Sequence, residues 1–172
     1  ITYTATDGST QQITVTITGT DDASVITGTV AGAVNEGNLG DTVTATGSIA
    51  ITDADDDDSP VFNDVGSTVG DNAYGSFALS SGTWTYTLDQ SAVQDLDAGD
   101  LVNDTITYTA TDGSTQQITV TITGTEDASV ITGTVAGAVN EGNLGDTVTA
   151  TGTIAINDAD DDDSPTFNDV AS

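Results

Sequence analysis

Polar and apolar residues alternate with period two along most of this chain. ITYTAT (1–6), QQITVTITGT (11–20), ASVITGTVAG (23–32), DTVTATGSIAI (41–51) and TWTYTLD (83–89) all carry the pattern. Such alternation predicts strands with one buried face. Turn signals separate them: NEGN at 35–38, SSG at 80–82, DAGD at 97–100 and DGS at 112–114. No long stretch keeps a 3.6-residue period. Only SAVQDLDAGD at 91–100 permits a turn of helix.

The pattern gives seven strands in about 100 residues, the immunoglobulin-like count. They are expected as A near 25–34, B near 42–52, C near 60–66, D near 74–79, E near 83–89, F near 104–111 and G near 116–124. The expected fold is all-β: an immunoglobulin- or cadherin-like seven-strand Greek-key sandwich. Trp84, Tyr86 and Leu88 share one face of strand E and are the predicted core. Thr83, Thr85 and Thr87 take the other face. Tyr108, near the start of F, is placed for a tyrosine corner.

The chain repeats itself. Residues 1–67 return as 106–172, with five exchanges: Asp21/Glu126, Ser48/Thr153, Thr52/Asn157, Val61/Thr166 and Gly66/Ala171. An offset of 105 residues is far longer than a solenoid repeat and matches an independent domain. GTDDASVITG (19–28) and its counterpart at 124–133 join one strand run to the next and read as junctions. The expected layout is the tail of one repeat (1–20), a complete sandwich (21–125) and the head of a third (126–172). Both end pieces lack the equivalent of residues 68–105, so neither is expected to fold stably alone.

Charge changes the picture. The 172 residues hold 28 Asp and Glu and no Lys, Arg or His, a formal net charge of -28. Uncompensated like charge destabilises a compact state. The β-branched content argues against a disordered acidic chain, so cations are expected. Without Cys there is no disulfide, thiolate or cysteine zinc site. Without cationic side chains there is nothing to neutralise a nucleic-acid backbone. Anionic membranes would repel the chain, and no apolar run approaches 18 residues. The sequence does not begin with Met and reads as an excised segment.

Most acids fall in turns. DADDDDSP at 53–60, repeated at 158–165, puts five carboxylates within six residues. They repel unless a divalent ion sits among them. Calcium takes six to eight oxygens in flexible loops, whereas magnesium is stricter and transition metals prefer other ligands. Loop order in a seven-strand sandwich sorts the acids to two poles. Asp53, Asp55 and Asp112 come to the upstream pole beside linker Asp21 and Asp22. Glu36, Asp95, Asp97 and Asp100 come to the downstream pole beside Glu126, Asp127, Asp158 and Asp160. Glu141 repeats Glu36 one period later. The candidate calcium ligands are therefore Asp21, Asp22, Glu36, Asp53, Asp55, Asp97, Asp100, Asp112, Glu126, Asp127, Glu141, Asp158 and Asp160. For Asp56, Asp57 and Asp58 two readings stay open, metal ligation and solvated charge. There is no EF-hand loop, because DADDDDSP lacks its Gly and its closing Glu.

The run GTWTYTLDQSAVQDLDAGDLVNDTITYTATDGSTQQITVTITGTEDA at 82–128 resembles the VCBS-type repeats of giant bacterial repeats-in-toxin adhesins. The resemblance spans essentially the whole period. It implies a cadherin-like extender domain on the bacterial surface, exported by type I secretion, with calcium at its junctions. Asp21–Asp22, Glu36 and Asp53–Ala54–Asp55 look like the cadherin calcium ligands, although the linker reads TDDAS rather than DxNDN. The expected function is a calcium-rigidified spacer for attachment or biofilm formation. It would be monomeric, with neighbouring repeats as its partners. The alternative is a direct binder of ice or glycan, suggested by the TxT rows. No enzyme is expected: the three Glu all sit in loops or junctions.

Overall fold

Alternation of Thr with Val, Ile and aromatic residues yields an all-β chain. The computed structural model describes residues 1–160 and 162–170; Asp161 of the second acidic run, with Ala171 and Ser172, lies outside the described residues. The strands are β1 (Thr2–Thr4), β2 (Thr10–Gln12), β3 (Val25–Gly28), β4 (Ala31–Asn35), β5 (Thr44–Thr52), β6 (Val65–Val69), β7 (Gly75–Ser80), β8 (Thr83–Leu88), β9 (Leu101–Thr109), β10 (Thr115–Thr123), β11 (Val130–Gly133) and β12 (Ile154–Asn157). A 3₁₀ turn at Gln90–Ala92 follows β8. No helix among the described residues is long and apolar enough to cross a membrane.

Two sheets face each other. One has the order β3-β5-β8-β7-β6 and the other β4-β10-β9. Between them lie Phe77, Leu79, Trp84, Tyr86, Ile118, Val120 and Ile122, each 1% exposed or less. Burying a large apolar side chain stabilises by roughly 1.5–3 kcal/mol, so β7, β8 and β10 together anchor the sandwich. The outward Thr83 and Thr87 of β8 are exposed, as the alternation predicts. Every member of the core lies between Val34 and Ile122. The flanking β1–β2 and β11–β12 pairs leave Ile17 and Val135 each 89% exposed. An isolated two-stranded pair is marginal in water.

The first expected strand is two. β3 pairs antiparallel with β5; β4 has crossed to the other sheet and pairs parallel with β10. The break falls at Gly28, whose φ is +128°. A Cβ there would also collide with the Ser48 carbonyl. The crossover is pinned by the Trp84 indole, which donates to the Thr29 carbonyl at 2.7 Å.

The expected strand at 60–66 is likewise displaced. Phe62 makes a single bridge to Ala110 of the three-stranded sheet. The chain then crosses to form β6 against β7, with a bulge between Val65 and Thr68. Asp64 holds the crossing by accepting from the Ser81 N–H at 2.6 Å, in the tight turn between β7 and β8. The tyrosine corner does not form: Tyr108 is buried, but its hydroxyl has no hydrogen-bond partner. Packing, not a backbone hydrogen bond, fixes that ring.

Asp104 is fully buried within the sandwich. Its Oδ1 accepts from the N–H groups of Asn72 and Thr105, each at 3.0 Å, and Oδ2 faces the Tyr86 hydroxyl at 3.3 Å. Burial, then the charge of Asp104, pushes the Tyr86 hydroxyl well above its ordinary pKa. Tyr86 therefore remains a donor at any physiological pH.

Candidate metal centres

The acidic run after β5 folds back on itself. The Asp58 N–H donates to the Asp55 carbonyl at 3.1 Å, closing a turn. The Asp55 N–H donates to Asp53 at 3.0 Å, and linker Asp22 donates its N–H to Asp55 at 2.7 Å. These bonds bring one carboxylate oxygen each from Asp21, Asp55 and Asp58 within 4.8 Å of one another. Burial, then the neighbouring charge of Asp21, raises the Asp58 pKa.

The same construction recurs 105 residues later. The Asp163 N–H donates to the Asp160 carbonyl at 3.3 Å, and Asp127 donates its N–H to Asp160 at 2.8 Å. Glu126, Asp160 and Asp163 bring their carboxylates within 4.8 Å of one another. A hydrogen bond between Glu126 and Asp163 is the main reason the Glu126 pKa is raised.

This downstream cluster also receives acids from the complete sandwich. Glu36, at the end of β4, is 6% exposed. The Thr125 N–H and the Gln94 amide each donate to it at 3.0 Å. Burial, then the charges of Asp127, Asp160 and Asp95, raises its pKa. Asp97 is raised by burial and then by the charge of Asp162, while the Asp162 N–H donates to it. Asp160 is 3% exposed, and its Oδ1 has no hydrogen-bond partner; nor has the buried Oδ2 of Asp127. Orphaned buried oxygens of this kind carry the full cost of desolvation. No Lys, Arg or His exists on this chain to offset it.

The predicted ligands divide into groups. Asp21 and Asp55 meet upstream, with Asp22 contributing its N–H. Glu126 and Asp160 meet downstream; Glu36, Asp97 and Asp127 lie outside that three-acid group, with Glu36 feeling the charges of Asp127 and Asp160 and Asp97 those of Asp160 and Asp162. Asp53 and Asp112 instead flank the Ser24 hydroxyl, whose single proton they share, at 2.8 and 2.5 Å. Asp158 accepts from the Ser129 hydroxyl. The Asp55 N–H and then Ser24 lower the Asp53 pKa, Ser24 leads in lowering Asp112, and Ser129 leads for Asp158. These three anions brace the loops. Asp100 is exposed, and its backbone ties the β8–β9 connection to Gly124. Glu141 is exposed and outside both three-acid groups.

Asp58 stands outside the ligands picked from the sequence, yet it and its counterpart Asp163 each complete a cluster. The signal was the spacing: Asp58 is three positions after Asp55, the reach of a tight turn. The donor sets are all-oxygen and anionic, which suits a hard cation such as Ca²⁺. Softer metals prefer nitrogen or sulfur ligands. Neither a family model nor a curated protein matches this sequence.

Proposed function

We propose that this chain is a segment of a calcium-rigidified spacer, in which ions at the junctions between repeats turn a jointed string into a rod. The observation that carries this reading is the buried, unpartnered Asp160 oxygen. It stands among Glu126, Asp163, Asp127 and Glu36 on a chain with no cationic side chain. Ligands from one sandwich (Glu36, Asp97) and from the linker and head of the next (Glu126, Asp127, Asp160, Asp163) would share the bound cation. Recurrence of the same three positions at Asp21, Asp55 and Asp58 supports a device used at every junction.

Near-identical repeats suit a molecule in which each unit does the same mechanical work. The resemblance of residues 82–128 to extender repeats supports reading that work as holding a distal adhesive region of a large bacterial surface adhesin away from the cell. Affinity would fall in the extracellular range of about 10⁻⁴–10⁻³ M, tighter where more carboxylates converge. The competing ice- or glycan-binding reading rests on the TxT rows. In the complete sandwich they form two separate two-strand patches on different sheets, Thr119 opposite Thr105 and Thr115 opposite Thr109 on one and Thr44 opposite Thr87 and Thr46 opposite Thr85 on the other, each too narrow for an extended flat array.

Small-angle scattering of the chain with calcium and with chelator tests the proposal. The maximum dimension should lengthen and sharpen with calcium. An identical distance distribution in both conditions sinks the spacer mechanism.

A further inference from the structure

Glu36 is gripped from two sides. Oε2 accepts the Thr125 N–H, and Oε1 accepts the Gln94 amide nitrogen, both at 3.0 Å. The same Gln94 nitrogen also donates to the Gly37 carbonyl at 2.9 Å. Its two hydrogens are therefore directed at the Glu36 side chain and at the peptide that follows it. Gln90 completes the grip, its Oε1 accepting the Gly37 N–H at 3.2 Å. Gln90 opens the 3₁₀ turn after β8 and Gln94 lies in the turn that follows it, with buried Val93 anchoring the backbone between them.

The chemistry of this grip is specific. A glutamate crowded by Asp95, Asp127 and Asp160 gains by swinging into water. An amide can prevent that without neutralising it, so the carboxylate keeps its charge for a metal. A Lys or Arg at 94 would hold Glu36 equally well but would quench it as a ligand.

We infer that Gln94 is a positioning residue of the downstream metal centre, fixing Glu36 toward the cation through its side-chain amide. The inference rests on the calcium reading above. Groups that orient a metal ligand typically set affinity by about 10- to 100-fold.

Calcium titration of the whole 172-residue chain, followed through its backbone amide NMR signals, tests this. Asp127 reports the downstream centre and Asp22 the upstream one. In Gln94→Met the Asp127 midpoint should move about 10- to 100-fold toward higher calcium, while the Asp22 midpoint stays. In a Glu36→Gln background the same change should move neither. If Gln94→Met lowers only the calcium-free melting temperature and leaves the Asp127 midpoint in place, Gln94 is merely structural and the inference fails, though the calcium reading survives. An equal loss in the Glu36→Gln background likewise overturns it. Should the wild-type Asp127 signal not saturate with calcium, the metal reading itself is wrong and the inference falls with it.

Discussion

Asp127 donates its backbone N–H to the Asp160 carboxylate at 2.8 Å, as Asp22 does to Asp55 at 2.7 Å one period earlier. The bond fixes one oxygen of Asp160 and leaves Oδ1 buried and unpartnered. Asp160→Asn keeps the shape and removes the charge. Without calcium its melting temperature should match or exceed the wild type, because repulsion with Glu36 and Glu126 is relieved. With calcium it should lose most of the wild-type rise, which mass action sets at about 2.7 kcal/mol when calcium is 100-fold above Kd. Differential scanning calorimetry with and without calcium decides. A rise equal to that of the wild type rules out Asp160 as a ligand.

The acidic run separates by position. Asp58 reaches Asp21 and Asp55, whereas Asp56 and Asp57 are exposed and belong to neither cluster. Asp58→Asn should weaken the upstream calcium site at least tenfold, about 1.4 kcal/mol. Asp56→Asn and Asp57→Asn should stay within about 0.5 kcal/mol of the wild type, as exposed substitutions do. Isothermal titration calorimetry of the three variants makes the comparison. Equal losses in all three would mean the run acts only as diffuse charge.

Acidity should act in two opposite directions. Glu36 and Glu126 titrate above 4.5, and Asp97 above 3.8, in the folded chain. The folded state therefore binds their protons more tightly than the unfolded state does. Stability of the calcium-free chain rises as pH falls from neutral toward 4.5 and 3.8, and that gain is complete below those values. Asp53, Asp112 and Asp158 titrate below 3.8. Their stabilisation is present above 3.8 and lost as pH falls through their folded values. The calcium-free melting temperature should thus peak in the mildly acidic range. The calcium-induced rise should shrink over that range, because protons compete for Glu36, Asp97 and Glu126. A thermal-shift series across pH, with calcium-stripped and calcium-loaded protein, would expose a flat response and refute the assignment.

Strand positions were legible where one face is buried. Trp84, Tyr86 and Leu88 point inward as their spacing demands, and Ile118, Val120 and Ile122 repeat the rule on the facing sheet. The sheet switch at Gly28 was not legible: alternation continues through VITGTVAG, and only the backbone shows that one strand serves two sheets. Asp104 was equally hidden. A carboxylate on the inward face of a strand reads as an error of pattern until Asn72 and Tyr86 arrive from distant sequence to join the neighbouring Thr105 N–H in satisfying it. At the junctions, loop order located the poles but not the individual ligands. Whether an Asp faces a cation cluster or a serine depends on side-chain hydrogen bonds such as those of Ser24, which period and charge do not encode.

Gly47 and Trp84 are cross-strand partners on β5 and β8, and the indole lies flat over the glycine. A Cβ at Gly47 would stand 2.5 Å from Trp84 Cζ2, closer than real contacts allow. The ring cannot retreat, because its nitrogen is bonded to Thr29 and it is fully buried. Gly47→Ala should therefore cost about 1–3 kcal/mol, the usual range for an overpacked core. That corresponds to roughly 4–8 °C per kcal/mol for a domain of this size. Gly66→Ala is the matched control: nothing lies within 4 Å of a Cβ there, and the repeat itself carries Ala at position 171. It should change the melting temperature little. In a Trp84→Phe background the ring that the added methyl meets is smaller, so the Gly47→Ala cost should shrink. Thermal denaturation of the three single variants and the Gly47/Trp84 double variant measures that coupling. Additive costs would show that the two residues do not meet as described.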